Sequence, residues 1–327
     1  MRELSFTDAV TEALFAAMSE DSKVLAFECT FERNTPTATW SKLIDTFSPQ
    51  RARSVNGYTS AVIGTALGMT IAGLRPIVRL DSPAQILSAY QFLFDAVSKL
   101  PQISGGNLNS PLIITAPSGA GTPYGPQHDV AIDTLTAIIP NLSVVVPSNA
   151  YEAKGLLCAS FQEDHPVLIL ESPLLYDSLA DTPQESYSLP LEETTVLRSG
   201  HDLTLIAWGH HVRRACYIAD RLNSENIKCD VLNLRSLAPL DLDTITLSVE
   251  KTHRVAIIDD GPTQAGFGTI LAAIIQRELF SHLKSPIKVI SFWEELPRYL
   301  PKIKEYDTAF THRCLTELVE ERNKRQV

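Results

Sequence analysis

Apolar residues along the first 170 positions follow two alternating rhythms. Phe6, Val10, Ala13, Leu14, Ala17 and Met18 fall at helical spacing, with Ser5 placed as the cap. Val24–Phe27 is a short continuous apolar run and predicts a buried strand. Glu28–Ala38 is polar and irregular and predicts a loop. Thr39–Phe47 predicts a short helix, and Ala52–Val55 a weak strand. The Asn56-Gly57 turn signal then opens a helix over Thr59–Ala72, capped by Thr59 or Ser60 and closed by Gly73. Further on, strands are predicted at Pro76–Leu80, Pro111–Ala116, Ser143–Val146 and Val167–Glu171. They alternate with helices over Ala84–Lys99, Asp129–Ile138 and Asn149–Gln162.

The strands are unbroken apolar runs, as expected of parallel strands covered on both faces. Ser172–Thr195 interrupts the alternation. It is polar, carries Pro173, Pro183 and Pro190, and has no sustained period, so it predicts a surface linker. Strands and helices then resume: Leu203–Ala207, Val212–Leu222, Lys228–Asn233, Leu242–Lys251, Val255–Asp259, Gly268–Leu279, Ile287–Phe292 and a last helix over Thr308–Lys324. The fold class is therefore α/β, with two doubly wound parallel-sheet domains. The expected division is 1–180, a linker at 181–196, and 197–327.

Within the helix Thr59–Ala72, the small residues Ser60, Gly64, Gly68 and Ala72 recur every four positions and form one stripe. Each Gly costs about 1 kcal/mol against Ala in a helix interior, so close approach of another backbone is expected there. A neighbouring helix of the same domain and a second subunit are both candidates.

Composition narrows the field. The 327 residues are 44% hydrophobic and 20% charged, with a net charge of −10. Acidity without a basic cluster beyond the tail ERNKRQV argues against nucleic acid as a partner. No run approaches the roughly 18–20 apolar residues of a membrane span, and the N-terminus lacks a signal-peptide core. The five Cys (29, 158, 216, 229 and 314) show neither a CxxC pair nor metal-ligand spacing. Free thiols in a reducing compartment, cytoplasm or organelle matrix, are expected.

No stretch is a self-sufficient catalytic signature: GxSxG, HExxH and GxxxxGK[ST] are all missing. His210-His211, in WGHH after a strand, read as surface or turn histidines. Asp259-Asp260-Gly261 and Gly266–Gly268 stand where a strand meets a helix N-terminus. Such a place can hold an anion; a Gly-rich turn is the simpler alternative. His128 ends a Gly-rich loop, PSGAGTPYGPQ, after a buried strand, at the edge where open α/β sheets carry ligands. A His there can move protons near neutral pH, or it can be structural.

Several segments together resemble the β-subunit of 2-oxo acid dehydrogenase E1 components, of pyruvate, branched-chain and acetoin dehydrogenase type. They are AGLRP (72–76), SGG (104–106), GPQH (125–128), PSNAYEAKGLL (147–157), DVLNLRSLAPLDLDTI (230–245), SVEKTHRVAIIDDGPTQAGFG (248–268) and SPIKVISF (285–292). The resemblance spans nearly the whole chain. It implies a thiamine-diphosphate pyrimidine-type domain followed by a transketolase C-terminal domain, acting in 2-oxo acid decarboxylation and acyl transfer. It also implies a separate α-like subunit holding the diphosphate and Mg²⁺ through a GDG motif, which this chain lacks. β–β self-association in an α2β2 assembly is implied as well, with a lipoyl acyltransferase as a further partner.

In that family the β side supplies a Glu to N1′ of the aminopyrimidine, and a His, here His128, assists at the substrate carbonyl. Counting back from AGLRP without gaps, the Glu position falls on Thr59. The aromatic segment falls on Leu80–Gln85, with Pro83 and Gln85 in place of Phe. The acidic pair is reduced to Glu28, followed by Cys29, and Asp129 stands in place of the Ser that follows the His. Two readings follow: an active subunit in which Glu28 stands in for the missing acid, and a catalytically degenerate paralogue kept as a structural or regulatory partner.

Overall fold

The computed structural model describes residues 2–30, 37–119, 130–291, 315–316 and 318–319. The chain divides into two compact units, residues 1–191 and 192–327.

The first unit opens with β1 (Arg2–Ser5), α1 (Phe6–Glu20) and β2 (Val24–Thr30). Next come α2 (Ala38–Phe47), β3 (Ala52–Asn56), α3 (Thr59–Ile71) and β4 (Arg75–Leu80). After α4 (Pro83–Phe92) and the short α5 (Leu100–Ile103) follow β5 (Ile113–Pro117), α6 (Asp133–Ala137), β6 (Ser143–Val145), α7 (Ala150–Ser160), β7 (Val167–Glu171) and β8 (Leu179–Thr182). Its main sheet is parallel, in the order β6-β7-β5-β4-β2-β3. One face carries Val24, Ala26, Ile77, Ile113, Val167 and Ile169 against α1, α2 and α7, through Leu14, Met18, Trp40, Leu43 and Leu156. The opposite face is packed by α3 and α4.

The caps follow the sequence in part. Ser5 caps α1 by accepting from the Asp8 N–H, and Asn149 caps α7 by accepting from the Glu152 N–H. α3 departs from expectation: Tyr58 holds the N-cap position without a side-chain bond, and Thr59 is the first helical residue. Ser60 Oγ instead donates to the Ser88 carbonyl on α4 at 3.0 Å. Gly73, at φ +82°, closes the helix as expected, because that backbone suits Gly best. The helix expected over Ala84–Lys99 is not uniform; after Phe92 it widens to a π-helical turn over Leu93–Val97. The helix expected over Asp129–Ile138 shrinks, among the described residues, to Asp133–Ala137.

The expected linker is more ordered than its composition suggests. β8 pairs antiparallel with β1, in the register Arg2↔Thr182 to Ser5↔Leu179. β1 escapes sequence reading because its four residues carry no apolar alternation. Beyond β8, Lys154 on α7 donates to the carbonyls of Pro183 and Gln184, at 2.8 and 3.2 Å. The Tyr187 ring stacks on Tyr151 at 4.8 Å, and the Leu189 N–H reaches the Gly155 carbonyl. A Cβ at Gly155 would meet Leu189 and Tyr187 within 2.7 Å. The glycine therefore lets this strap lie directly on α7.

The second unit contains β9 (Thr195–Arg198), β10 (Leu203–Ala207), α8 (His211–Ser224) and β11 (Cys229–Asn233). β12 (Ser236–Ala238), α9 (Leu242–Thr252), β13 (Val255–Asp259), α10 (Phe267–Leu279) and β14 (Lys288–Ser291) complete it. Its sheet runs β14-β13-β10-β11-β9, parallel except for β9. Leu205, Ala207, Val231, Ala256 and Ile258 pack with Val212, Ile218 and Leu222 of α8, and with Leu315 and Leu318.

The small-residue stripe on α3 is divided. A Cβ on Gly64 would touch the Phe92 ring of α4 at 3.4 Å, whereas one on Gly68 would meet nothing within 4 Å. Gly64→Leu is therefore expected to destabilise this chain on its own by about 1–3 kcal/mol through overpacking against α4. Gly68→Leu should leave the melting temperature of the isolated chain nearly unchanged. Thermal melts of both variants check this; equal losses would contradict the assignment of Gly64 to the α3–α4 contact.

Candidate functional site

Strands β2, β4 and β7 end at one edge of the first sheet, the edge that carries ligands in open parallel sheets. Alternation along a strand sends neighbouring side chains to opposite faces, and here it separates two environments.

On the α1/α2/α7 face stand Glu28, Arg79 and Glu171, at the ends of β2, β4 and β7. The fully buried Glu28 carboxylate accepts from Arg79 Nη1 at 3.2 Å and from the Thr37 N–H at 3.1 Å. Arg79 also lies 3.5 Å from Asp81 Oδ1, and its guanidinium sits 5.8 Å from the Trp40 ring. Burial disfavours the Arg79 charge, but Tyr176, Glu171, Asp81 and Glu28 together hold it protonated. Burial pushes the Glu171 carboxyl above the usual carboxylate range; Arg79 and the hydrogen bond from Tyr176 Oη (3.0 Å) pull the other way. Burial also drives the Tyr176 phenol upward, so it remains a donor. Arg79, Glu171 and Tyr176 border a pocket of about 320 Å³, together with Phe6, Thr11 and Trp40.

On the α3/α4 face stand Cys29, Thr59 and Gln85. Gln85 is almost fully buried and its amide is committed at both ends. Oε1 accepts from the backbone N–H groups of Asp81 and Ser82, closing a capping box at the start of α4. Nε2 donates to the Cys29 carbonyl at 3.0 Å and reaches Thr59 Oγ1 and Cys29 Sγ at 3.4 Å. Burial raises the Cys29 thiol pKa, against weaker opposing effects from Thr59 and Gln85, so it stays neutral. The cluster is compact and satisfies its own polar groups.

The structure thus brings Thr59 and Gln85 together and places Glu28 on the other face. His128 lies outside the described residues. Sequence reading passed over Arg79, Glu171 and Tyr176, because single polar residues at the ends of apolar strands carry no motif. It also missed Cys29 as the neighbour joining Thr59 to Gln85. The signal available was strand parity: residues 28 and 29 cannot face the same site.

In the second unit, Asp259 Oδ1 accepts from the Gly261 N–H and Oδ2 from the Gly268 N–H, each at 2.8 Å. A Cβ at Gly266 would approach Oδ2 to 2.6 Å. The α10 N-terminus is therefore occupied by a carboxylate of the protein itself, and the glycine-rich turn needs no external anion. His210 and His211 are not surface residues. Their side chains are 13% and 2% exposed, and both face Asp260.

Comparison with known proteins agrees with this architecture. The family model for the transketolase pyrimidine-binding domain matches residues 2–177, and that for the transketolase C-terminal domain matches residues 192–311. The pyruvate dehydrogenase E1 component subunit beta of Rickettsia felis is 31% identical over 290 residues, covering 88% of this chain and 89% of that protein. The chain belongs to the E1 β-subunit family. The acetoin:2,6-dichlorophenolindophenol oxidoreductase subunit beta of Bacillus subtilis is 32% identical over 303 residues, covering 89% of each chain. Among solved structures, an inactive β4 tetramer of a split-gene transketolase shares the fold, with a TM-score of 0.77 at 18% identity over 97% of this chain and 99% of that one.

The transketolase-like E1 family depends on thiamine diphosphate. Thr59 and the side chains around it offer no carboxylate, so they do not fit the acid contact to N1′ that the resemblance leads one to expect there. A hydroxyl stands there, its neighbours are an amide and a thiol, and Glu28 is turned to the opposite face and engaged by Arg79.

The acidic cluster depends on its cation. Arg79→Met would leave Glu28, Asp81 and Glu171 without that partner, and breaking a buried pair in this way costs about 3–5 kcal/mol. Without Arg79 the folded-state pKa of Glu171 rises further above its unfolded value. Stability from its protonated form is present below the unfolded pKa and is lost as pH rises through the folded pKa. The melting deficit of Arg79→Met is therefore expected to be larger at pH 7.5 than at pH 5. A deficit independent of pH would contradict this linkage.

Proposed function

We propose that this chain is the β-type half of a thiamine-diphosphate-dependent E1 assembly of α2β2 type, in which it provides scaffold and interface while activating the cofactor weakly. A separate α-like subunit completes the assembly and carries the diphosphate and Mg²⁺. The observation behind the weak activation is the Thr59–Gln85–Cys29 cluster. An ionised carboxylate accepts a charge-assisted hydrogen bond that a hydroxyl cannot reproduce. The family scaffold, by contrast, is kept over both domains.

The likeness to E1 β subunits over 88–89% of the chain favours a second reading. In it the assembly carries out 2-oxo acid decarboxylation and acyl transfer, with His128 at the substrate carbonyl and an acid other than residue 59 serving the cofactor.

Proton–deuterium exchange at the cofactor's C2, followed by NMR on the chain assembled with its α-like partner and Mg²⁺, separates the two. Slow exchange in the wild type is expected, with Thr59→Glu at least tenfold faster, about 1.4 kcal/mol of barrier. Fast exchange in the wild type, unaltered by Thr59→Glu, would establish the second reading. The chain alone should bind thiamine diphosphate poorly, since most of the affinity for a diphosphate comes from charged contacts and metal. Submicromolar binding in calorimetry on the purified chain would contradict this.

A further inference from the structure

The second sheet has its own switch point. β10 leads through α8 to β11 on one side, while β13 leads through α10 to β14 on the other, and β10 and β13 are neighbours. Connections that leave adjacent strands in opposite directions open a crevice beyond the strands' carboxyl ends, where ligands bind in open α/β sheets. The residues presented there are His210 and His211 after β10 and Asp260 after β13.

Their geometry suits a metal ion. His211 Nε2 lies 3.0 Å from Asp260 Oδ1, and His210 Nε2 lies 3.4 Å from Asp260 Oδ2. The two imidazoles stand side by side with ring centroids 4.0 Å apart, and one ligand atom from each of the three residues lies within 4.8 Å of the others. In a tetrahedral site with metal–ligand bonds of about 2.0–2.2 Å, ligand atoms stand roughly 3.3 Å apart. The site is mostly shielded from solvent, with His211 2% and Asp260 8% exposed.

We propose that His210, His211 and Asp260 bind a divalent first-row transition ion of the zinc class, which ties the β10–α8 junction to the β13–α10 turn. Two imidazoles and one carboxylate select such an ion over Mg²⁺ or Ca²⁺, which prefer oxygen ligands. Three protein ligands leave a fourth position for water or a small ligand. Asp259 keeps the turn in shape by accepting from Gly261 and Gly268, so Asp260 is held at the crevice by a rigid neighbour.

Arg214 supplies a distinctive check. Its Nη1 lies 3.0 Å from His211 Nδ1, and a guanidinium can only donate. That contact makes Nδ1 the acceptor and places the ring proton on Nε2, the atom a metal needs. Metal binding at Nε2 moves the proton to Nδ1 and displaces Arg214, a partly exposed side chain. Removing Arg214 should therefore tighten binding, whereas it would weaken a hydrogen-bonded network that holds no metal.

The test is Co²⁺ titration of the full-length, chelator-treated chain, read by visible absorption, with Zn²⁺ competition and elemental analysis of the dialysed protein. One equivalent bound with micromolar or tighter affinity, displaced by Zn²⁺, is expected. Asp260→Asn and His211→Ala should weaken it at least tenfold, Arg214→Ala should strengthen it several-fold, and His201→Ala, at an exposed histidine, should leave it unchanged. His210→Gln, at the most exposed of the three ligands, serves if the other site variants fail to fold. Binding absent from the wild type, or equal in the wild type and His210→Gln, overturns the proposal. So does weaker binding by Arg214→Ala.

Discussion

Side chains on a β-strand alternate between faces, and at the end of β2 this alternation sets the character of the whole first unit. Glu28 is committed to the face that α1, α2 and α7 cover, Cys29 to the face that α3 and α4 cover. A one-residue shift in register would reverse both assignments together with the apolar residues before them, so neither side chain is free to serve the other site. The consequence is one charged environment and one neutral environment, a strand's thickness apart. In the first, Arg79 is the cation that makes several carboxylates tolerable beside an apolar layer. In the second, an amide, a hydroxyl and a thiol satisfy one another without charge.

What the sequence revealed and what it hid follow from the same physics. Parallel strands buried on both faces appear as unbroken apolar runs, so β7, β10 and β13 could be read to the residue. Helices with strong punctuation, such as α7 behind Asn149, could be read nearly as well. β1 and the strap over α7 could not. The order of β1 comes from a partner more than a hundred residues away, Leu179–Thr182, and that of the strap from a glycine of α7, Gly155, whose missing side chain has no periodic signature. The candidate site was legible as positions and illegible as directions. Counting named Thr59, Gln85 and Glu28 as positions; the structure sets the first two beside each other, and parity sends Glu28 to the other face. His210-His211 misled in the opposite way. A polar pair after a strand looks exposed until a carboxylate from the neighbouring strand closes over it.

Self-satisfaction recurs at two helix starts among the described residues. An anion site at the start of α10 is filled by Asp259, and the N-terminal turn of α4 is closed by Gln85 through its capping box. Buried polar groups need partners, and a group left unpaired costs about 1–3 kcal/mol. A chain whose groups already bond to one another is stable without a bound molecule. It also gains less when one arrives, because internal bonds must be exchanged for new ones.

That balance bears directly on Thr59. The hydroxyl sits in the first turn of α3, where backbone N–H groups favour negative charge by about 0.3–1 kcal/mol. Gln85 Nε2 points a further donor at the same spot from 3.4 Å. Both features suit an acid better than they suit a threonine, since a carboxylate would accept from the amide and be favoured by the helix end. The surroundings of Thr59 would therefore suit a carboxylate, although the residue there is not an acid. On the proposed reading, the difference between this chain and an activating β subunit lies at the side chain of residue 59, within surroundings that would orient a carboxylate.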